Sequence, residues 1–288
     1  MTGRSTGDFH CHSNRSDGTR SPADLVDLAA ANGVRVLALT DHDTLAGIEE
    51  ARGAAARHPG MRLVPGVELS CDVPGTEVHV LGLFVDTEDA AFARKLGRMR
   101  EARIERGERI VAALASMSVP VEWTRVQEIA GEGSIGRPHI AQAMVEAGHV
   151  ASTDEAFDRY LDRNSPAYVE RERLLPADAV ALIHSAGGLA VFAHPPFTDG
   201  HERVAEELTA AGLDGIEVYY RHYEPPEVAA LRALAERLDL APSGGSDFHG
   251  LVREHEREPG CFDMPDTAVE HLLDVAAARG CAIPSAAR

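Results

Sequence analysis

Short apolar runs alternate along this chain with amphipathic segments rich in alanine and leucine, and this alternation limits the possible folds. The first amphipathic segment, Pro22–Ala31, follows Ser21, a good N-cap residue, and is followed by Gly33. We predict seven strands, at residues 8–13, 34–40, 61–70, 77–85, 189–193, 215–220 and 240–247. Such alternation is typical of parallel α/β proteins, in which the sheet is either a closed barrel or an open doubly wound sheet.

The alternation stops between residues 86 and 172, where the pattern predicts four consecutive helices at 89–117, 124–131, 138–147 and 153–162. It resumes at residue 176. We therefore predict a discontinuous barrel domain at 1–86 and 173–288 and an inserted helical domain at 87–172. The first inserted helix is basic between Arg94 and Arg109, which indicates either a solvated face with pairs such as Glu105–Arg109 or a track for phosphate groups.

Composition excludes several functional classes. The formal net charge of −18 disfavours binding of long duplex nucleic acid. The longest apolar run, near residues 34–39, is too short for a membrane helix, and the first eight residues do not resemble a secretory signal. The four cysteines have no paired spacing, so we predict neither disulfides nor a thiolate zinc site. Together these features predict a cytoplasmic protein.

Histidine is unusually frequent: there are 14, as many as phenylalanine, tyrosine and tryptophan together. Five or six predicted strands end in His, Asp or Glu, at the sheet edge where parallel α/β proteins place their sites. Taken alone, His79 is better explained as a core histidine, but the whole set favours a metal site, because imidazole and carboxylate groups bind metals. The candidate ligands are His10, His12, Asp17, His42, Glu68, His79, His194, Asp247 and His249.

The identity and order of these residues along the chain resemble those of the polymerase and histidinol phosphatase (PHP) superfamily of metal-dependent phosphoesterases. The resemblance covers nearly the whole chain. It implies an α/β fold, a distorted seven-stranded (β/α)7 barrel similar to a TIM barrel, with two or three divalent ions, manganese being expected ahead of iron or zinc. It further implies a first metal at His10, His12, Glu68 and Asp247, a second at Asp17, His42 and His249, and a third at Glu68, His79 and His194.

The inserted segment around Arg137 and His139 is similar to a branch of stand-alone nucleotide phosphatases and short-oligonucleotide 5′-exonucleases. This similarity implies that the insertion caps the active site, that Arg137 contacts a substrate phosphate, and that His139 lies nearby as a second substrate-binding residue. The alternative for Arg137 is a residue at a helix start that pairs with local carboxylates. We consider Arg137 and His194 to be the candidate catalytic residues.

We therefore predict hydrolysis of nucleotide phosphate esters by in-line attack of a metal-bound hydroxide. The expected substrates are 3′,5′-bisphosphonucleotides, 5′-mononucleotides such as AMP, and the 5′ ends of short oligonucleotides, with no membrane or long duplex as a partner. Two alternatives remain open. A histidinol-phosphate phosphatase would need acidic contacts to its cationic substrate rather than Arg137, and a non-catalytic metal-binding scaffold would be expected to have lost ligands.

Overall fold

The computed structural model describes residues 4–73, 76–131, 133–163, 165–170, 174–251 and 256–287. Seven strands form one sheet in chain order: β1 (Gly7–Asp8), β2 (Val36–Leu39), β3 (Arg62–Val73), β4 (Thr76–Leu83), β5 (Leu189–Phe192), β6 (Gly215–Tyr220) and β7 (Ala241–Gly245). The sheet curls until its first and last strands meet: the Phe9 amide donates to the Gly244 carbonyl at 3.0 Å, and Cys11 pairs with Phe248. The predicted seven-stranded α/β barrel is confirmed.

The helices of the described residues follow the predicted order. They are α1 (Pro22–Ala31), α2 (Ile48–Ala55), α3 (Ala90–Ser116), α4 (Trp123–Ala130), α5 (Arg137–Glu146), α6 (Thr153–Ala156), α7 (Pro176–Ser185), α8 (His201–Ala210), α9 (Pro225–Leu238) and α10 (Asp266–Ala278). A π-helical turn, Phe157–Leu161, continues α6, and a 3₁₀ turn, Pro195–Phe197, follows β5. No helix of the described part is long and apolar enough to cross a membrane.

Strand β4 runs antiparallel to both of its neighbours, β3 and β5, which corrects the parallel sheet expected from the alternation. Pairing of β3 with β4 extends from Gly66 opposite Leu83 to Val73 opposite Thr76. Parallel neighbours need a crossover of about a dozen residues or more. Only residues 74 and 75 separate β3 from β4, so the two strands can pair only as a hairpin.

The first strand is also shorter than predicted. Regular pairing of β1 with β2 ends at Asp8, and residues 9–13 continue as an irregular segment joined to the chain after β7. The strands predicted at 34–40 and 240–247 are likewise shorter than predicted at both ends.

Apolar side chains pack into separate clusters. The largest fills the barrel and the space under its outer helices, the second lies among α1, α2 and β2, and a third joins helices α3–α6. Helix α3 belongs to two of them: Phe92 and Leu96 pack in the largest cluster, whereas Ile110 and Leu114 pack in the third. We propose that residues 87–172 form a separate helical unit anchored to the barrel through the start of α3.

Candidate metal centre

The donor atoms of the nine candidate ligands lie close together where β1, β2, β5 and β7 end. They form three groups, within each of which all donor atoms lie within 4.8 Å of one another. The first contains His10, His12, Glu68 and Asp247; the second His12, Asp17, His42 and His249; and the third Glu68, His79 and His194. The sequence-based grouping differs from this geometry in one respect, since His12 also reaches the second group.

The chain after β7 brings Asp247 against the two histidines that follow β1. The Asp247 amide donates to the His10 carbonyl at 2.8 Å, and the His12 amide donates to the Phe248 carbonyl at 2.9 Å. Gly245 permits this approach, because a Cβ atom at this position would lie 2.3 Å from the Cβ of His10. The Gly-Gly sequence at the end of β7 therefore has a steric role in assembling the site.

The first group has the spacing of a tetrahedral metal site. The Nε2 atoms of His10 and His12 are 3.1 Å apart, and each lies 3.1–3.3 Å from Glu68 Oε2 and from Asp247 Oδ1. Ligands about 2.0–2.1 Å from a tetrahedral ion are separated by about 3.3 Å. The buried donors therefore fit a divalent ion between them in both distance and chemistry.

Glu68 connects the groups. Its Oε2 lies 3.3 Å from His42 Nδ1 in addition to the two histidines of the first group, whereas its Oε1 lies 2.7 Å from His79 Nδ1 and 3.1 Å from His194 Nε2. Burial alone would raise the pKa of Glu68, but the surrounding imidazoles outweigh it and lower the pKa well below its usual range. One carboxylate is thus placed to bridge two ions.

The second group centres on Asp17. Its Oδ1 lies 3.4 Å from His249 Nε2 and 3.8 Å from His12 Nδ1, and its Oδ2 lies 3.7 Å from His42 Nε2. Among the described residues, Asp17 Oδ1 is a buried oxygen without a hydrogen bond. Leaving such an oxygen without a cation or a hydrogen-bond donor is costly, which again fits a metal ion.

Two candidate ligands have backbone conformations that residues other than glycine rarely adopt. His194 has φ 30° and Asp247 has φ 47°, both in the left-handed region. Such conformations cost on the order of 1–3 kcal/mol and persist when surrounding contacts enforce them. Here the contacts are hydrogen bonds: the His194 amide donates to Glu217 Oε2 at 2.7 Å, and Tyr220 Oη donates to Asp247 Oδ2 at 2.6 Å.

Sequence reasoning missed Glu217 and Tyr220. Glu217 is fully buried on β6, and its Oε1 lies 3.2 Å from His10 Nδ1, the nitrogen opposite the one that faces the first group. A carboxylate in this place fixes the tautomer and ring orientation of a metal-bound histidine. The available signal was a glutamate inside an otherwise apolar strand, Gly215–Tyr220, where an unpaired charge would be costly.

A cavity of about 150 Å³ opens beside the second and third groups. Asp17, His42 and His79 line it from the barrel, and three arginines line it from the inserted helices: Arg103, Arg106 and Arg137. Two of these arginines belong to the basic stretch of α3, for which a solvated face was one of the two expectations. Instead Arg106 is buried, and Arg103 Nη2 donates to Ser70 Oγ at 2.9 Å on β3.

Arg137 lies in the cavity wall and is also paired with a carboxylate. Its Nη2 donates to Glu77 Oε2 at 2.7 Å, and its Nη1 donates to the Leu161 carbonyl at 3.2 Å. His139 is buried but does not line the cavity: its Nδ1 accepts from the Gly136 amide at 3.0 Å at the start of α5. Burial lowers the pKa of His139, which favours this neutral, accepting form.

Comparison with known proteins adds independent findings. The PHP domain model matches residues 8–171. A 5′-3′ exoribonuclease of Haemophilus influenzae is 37% identical over 84% of this chain and 89% of its own length. A 3′,5′-nucleoside bisphosphate phosphatase of Chromobacterium violaceum is 37% identical over 84% of this chain and 86% of its own length. A solved structure from Bifidobacterium adolescentis, assigned as a metal-dependent phosphoesterase, superposes with a TM-score of 0.81 at 31% identity, covering 93% of this chain and 96% of that one.

Proposed function

Because this chain belongs to the PHP domain family, we propose that it hydrolyses phosphate esters of nucleotides, with 3′,5′-bisphosphonucleotides and 5′-mononucleotides such as AMP as the preferred class. The matches confirm the predicted family, the predicted fold and the predicted class of enzyme, a phosphoric ester hydrolase. The observation that carries the substrate proposal is the cavity in which three candidate metal ligands face three arginines.

The three groups of donors are proposed to hold two or three divalent ions, with manganese expected ahead of iron or zinc. When bound, the ions would supply a Lewis acid for phosphate oxygens and a water of lowered pKa. Imidazole and carboxylate donors without a thiolate suit all three metals. Glu68 would hold neighbouring ions together through its two oxygens, and Glu217 would keep the His10 ring in its binding orientation.

The arginines add guanidinium donors to the cavity wall, where Arg137 is paired with Glu77 and Arg103 with Asp43. A guanidinium binds phosphate oxygens in a bidentate manner, and this geometry is worth more than a point charge. In the structure Arg137 binds Glu77. The pair with Glu77 holds Arg137 in the cavity wall before substrate arrives. A phosphate entering the cavity would then compete with the Glu77 carboxylate for the same Nη2 donor.

The same cavity argues against histidinol phosphate as the substrate. Its imidazole and ammonium groups would need carboxylates in the cavity wall, but the described wall residues from the insertion contribute Arg103, Arg106 and Arg137. Asp17, the acidic residue of the lining, belongs to the second metal group. The phosphomonoester of a nucleotide, whose charged groups at neutral pH are its phosphates, fits these charges better.

Short oligonucleotides are a second candidate substrate, favoured by a cavity of about 870 Å³ that Tyr220 helps to line. Tyr223 and His222 line it together with Arg221, Arg232 and Arg257. Aromatic rings interleaved with arginines are typical of surfaces that bind single-stranded nucleic acid. Tyr220 also contacts Asp247, so this cavity adjoins the first metal group.

Phosphate release tests the proposal directly. The purified protein, stripped of metal and reloaded with Mn²⁺, would be assayed on 3′,5′-bisphosphoadenosine, AMP, histidinol phosphate and a 5′-phosphorylated RNA trimer. We expect the highest kcat/KM with one of the nucleotides or with the trimer. Faster turnover of histidinol phosphate than of every nucleotide compound, or no turnover of any compound, would refute the proposal.

A further inference from the structure

Phe197 exposes an aromatic face to solvent beside the candidate metal centre. At 57% exposure it is the most exposed of the large apolar side chains in the described part of the chain. It ends the 3₁₀ turn Pro195–Phe197, which directly follows the candidate ligand His194, and the two ring centroids are 5.6 Å apart. The exposed ring therefore lies against one of the three candidate ligands of the third group.

The Phe197 ring packs against three further rings. The ring centroid of Tyr220 lies 5.6 Å from that of Phe197 in an edge-to-face arrangement, and those of His222 and Tyr223 lie at 5.9 and 6.4 Å. Tyr220 is itself fixed by its hydrogen bond to Asp247. A ring held in this way loses little conformational entropy when a ligand packs on it, which favours a binding role.

The turn that carries Phe197 is tied to the same residue as Arg137. Thr198 Oγ1, next to Phe197, donates to the Glu77 carbonyl at 3.0 Å, while the Glu77 carboxylate pairs with Arg137. His79 lies two residues further along β4. The turn that carries Phe197 and the guanidinium of Arg137 thus both contact Glu77 of β4, two residues before the candidate ligand His79. In a nucleotide, a single ribose separates the base from its phosphate.

We propose that Phe197 is a specificity-determining residue that stacks on the nucleobase of the substrate while the phosphate lies between the metal centre and Arg137. This inference rests on the proposed nucleotide substrate and assigns the site of its base. Stacking on an aromatic ring is nearly independent of base identity, because every base has a π face. The enzyme should therefore discriminate nucleotides from base-free sugar phosphates but discriminate poorly among bases.

The test compares Phe197→Ala, Phe197→Trp and the parent enzyme on two compounds: the nucleotide that the parent cleaves best and ribose 5-phosphate, which lacks a base. We would measure kcat/KM, or the inhibition constant where a compound binds without being cleaved. Loss of one stacked base should cost Phe197→Ala about tenfold with the nucleotide and nothing with ribose 5-phosphate. Phe197→Trp, which keeps an aromatic ring at this position, should retain the preference for the nucleotide that Phe197→Ala loses.

Leu175→Ala is a matched control, because Leu175 is another exposed apolar residue and sits outside the site. It should leave both compounds unaffected. An equal loss of kcat/KM with both compounds in Phe197→Ala would mean that the substitution disturbs His194. Unchanged constants with both compounds would mean that the ring does not contact the substrate. Either result overturns the inference. Failure of the proposed function is distinct, since the parent enzyme itself would then cleave no nucleotide.

Discussion

The ring Nδ1 of His10 lies 3.2 Å from a carboxylate oxygen of Glu217, although 207 positions separate the two residues in the chain. Both side chains are fully buried, and Nε2 of the same histidine faces the first metal group. Glu217 also accepts a hydrogen bond from the His194 amide. A residue that contacts no proposed ion is therefore placed to orient two of the ligands.

Replacing Glu217 by Gln should weaken metal binding while preserving the fold, because the amide has nearly the shape of the carboxylate but does not stabilise the required His10 tautomer as strongly. Loss of such a partner typically lowers metal affinity about 10–100-fold. Titration of the metal-free protein with Mn²⁺ would measure this change. Glu270→Gln, on the exposed face of α10, is the control. Equal affinities in both variants would show that Glu217 has no orienting role.

Removal of metal should abolish hydrolysis and lower thermal stability. Ions that bind only the folded protein stabilise it by mass action, by about 2.7 kcal/mol at a free concentration one hundred times Kd. We expect a higher Tm on addition of Mn²⁺ to chelator-treated protein, together with recovery of phosphate release. Less than one ion per chain after reloading, with activity insensitive to chelator, would contradict the assignment of all three groups.

His194→Ala should affect mainly the third group, because His194 contacts Glu68 Oε1 and His79, whereas the first group keeps its four donors. We expect one ion fewer per chain by elemental analysis, a large fall in kcat, and a circular dichroism spectrum like that of the parent. The prediction fails if metal content and kcat both stay at the parent values.

Arg137→Ala should lower kcat/KM without changing metal content, since Arg137 is not among the donor groups. The lost charge-assisted hydrogen bonds are worth roughly 1.5–3 kcal/mol, which corresponds to about a tenfold to hundredfold effect. Arg137→Lys should recover only part of the activity, because an ammonium lacks the bidentate geometry. Arg125→Ala, which removes an exposed ion-paired arginine on α4, is the control. Loss of metal together with activity would instead assign Arg137 a structural role.

Gly245→Ala should destabilise the protein, because the added methyl group would overlap the Cβ and backbone of His10. Overpacking of this kind typically costs about 1–3 kcal/mol, and the displaced His10 should also weaken metal binding. The matched control is Gly53→Ala in helix α2, where a Cβ meets no neighbour within 4 Å and should stabilise the helix slightly. Urea unfolding of both variants distinguishes a steric effect from a general intolerance of alanine.

The α/β class and the candidate ligands were accessible from local sequence patterns, whereas the closed barrel was implied by the resemblance to the PHP superfamily. Alternating strands and helices predict the fold class. His, Asp or Glu at successive strand ends predict that His42, His194 and Asp247 meet, since parallel strands of one sheet end at a common edge. The hairpin of β3 and β4 was missed, although the predicted strands at 61–70 and 77–85 are too close in sequence for the crossover that parallel pairing needs.

Only the tertiary structure decided which residues support and surround those ligands. Glu217, Tyr220 and Arg103 lie on elements whose local pattern indicates a strand or a helix, and nothing in that pattern states which distant side chain each one meets. Their partners are set by how the barrel closes and where α3 crosses it. Ligand positions follow from the periodicity of single strands, whereas contacts between distant segments follow from packing of the whole chain.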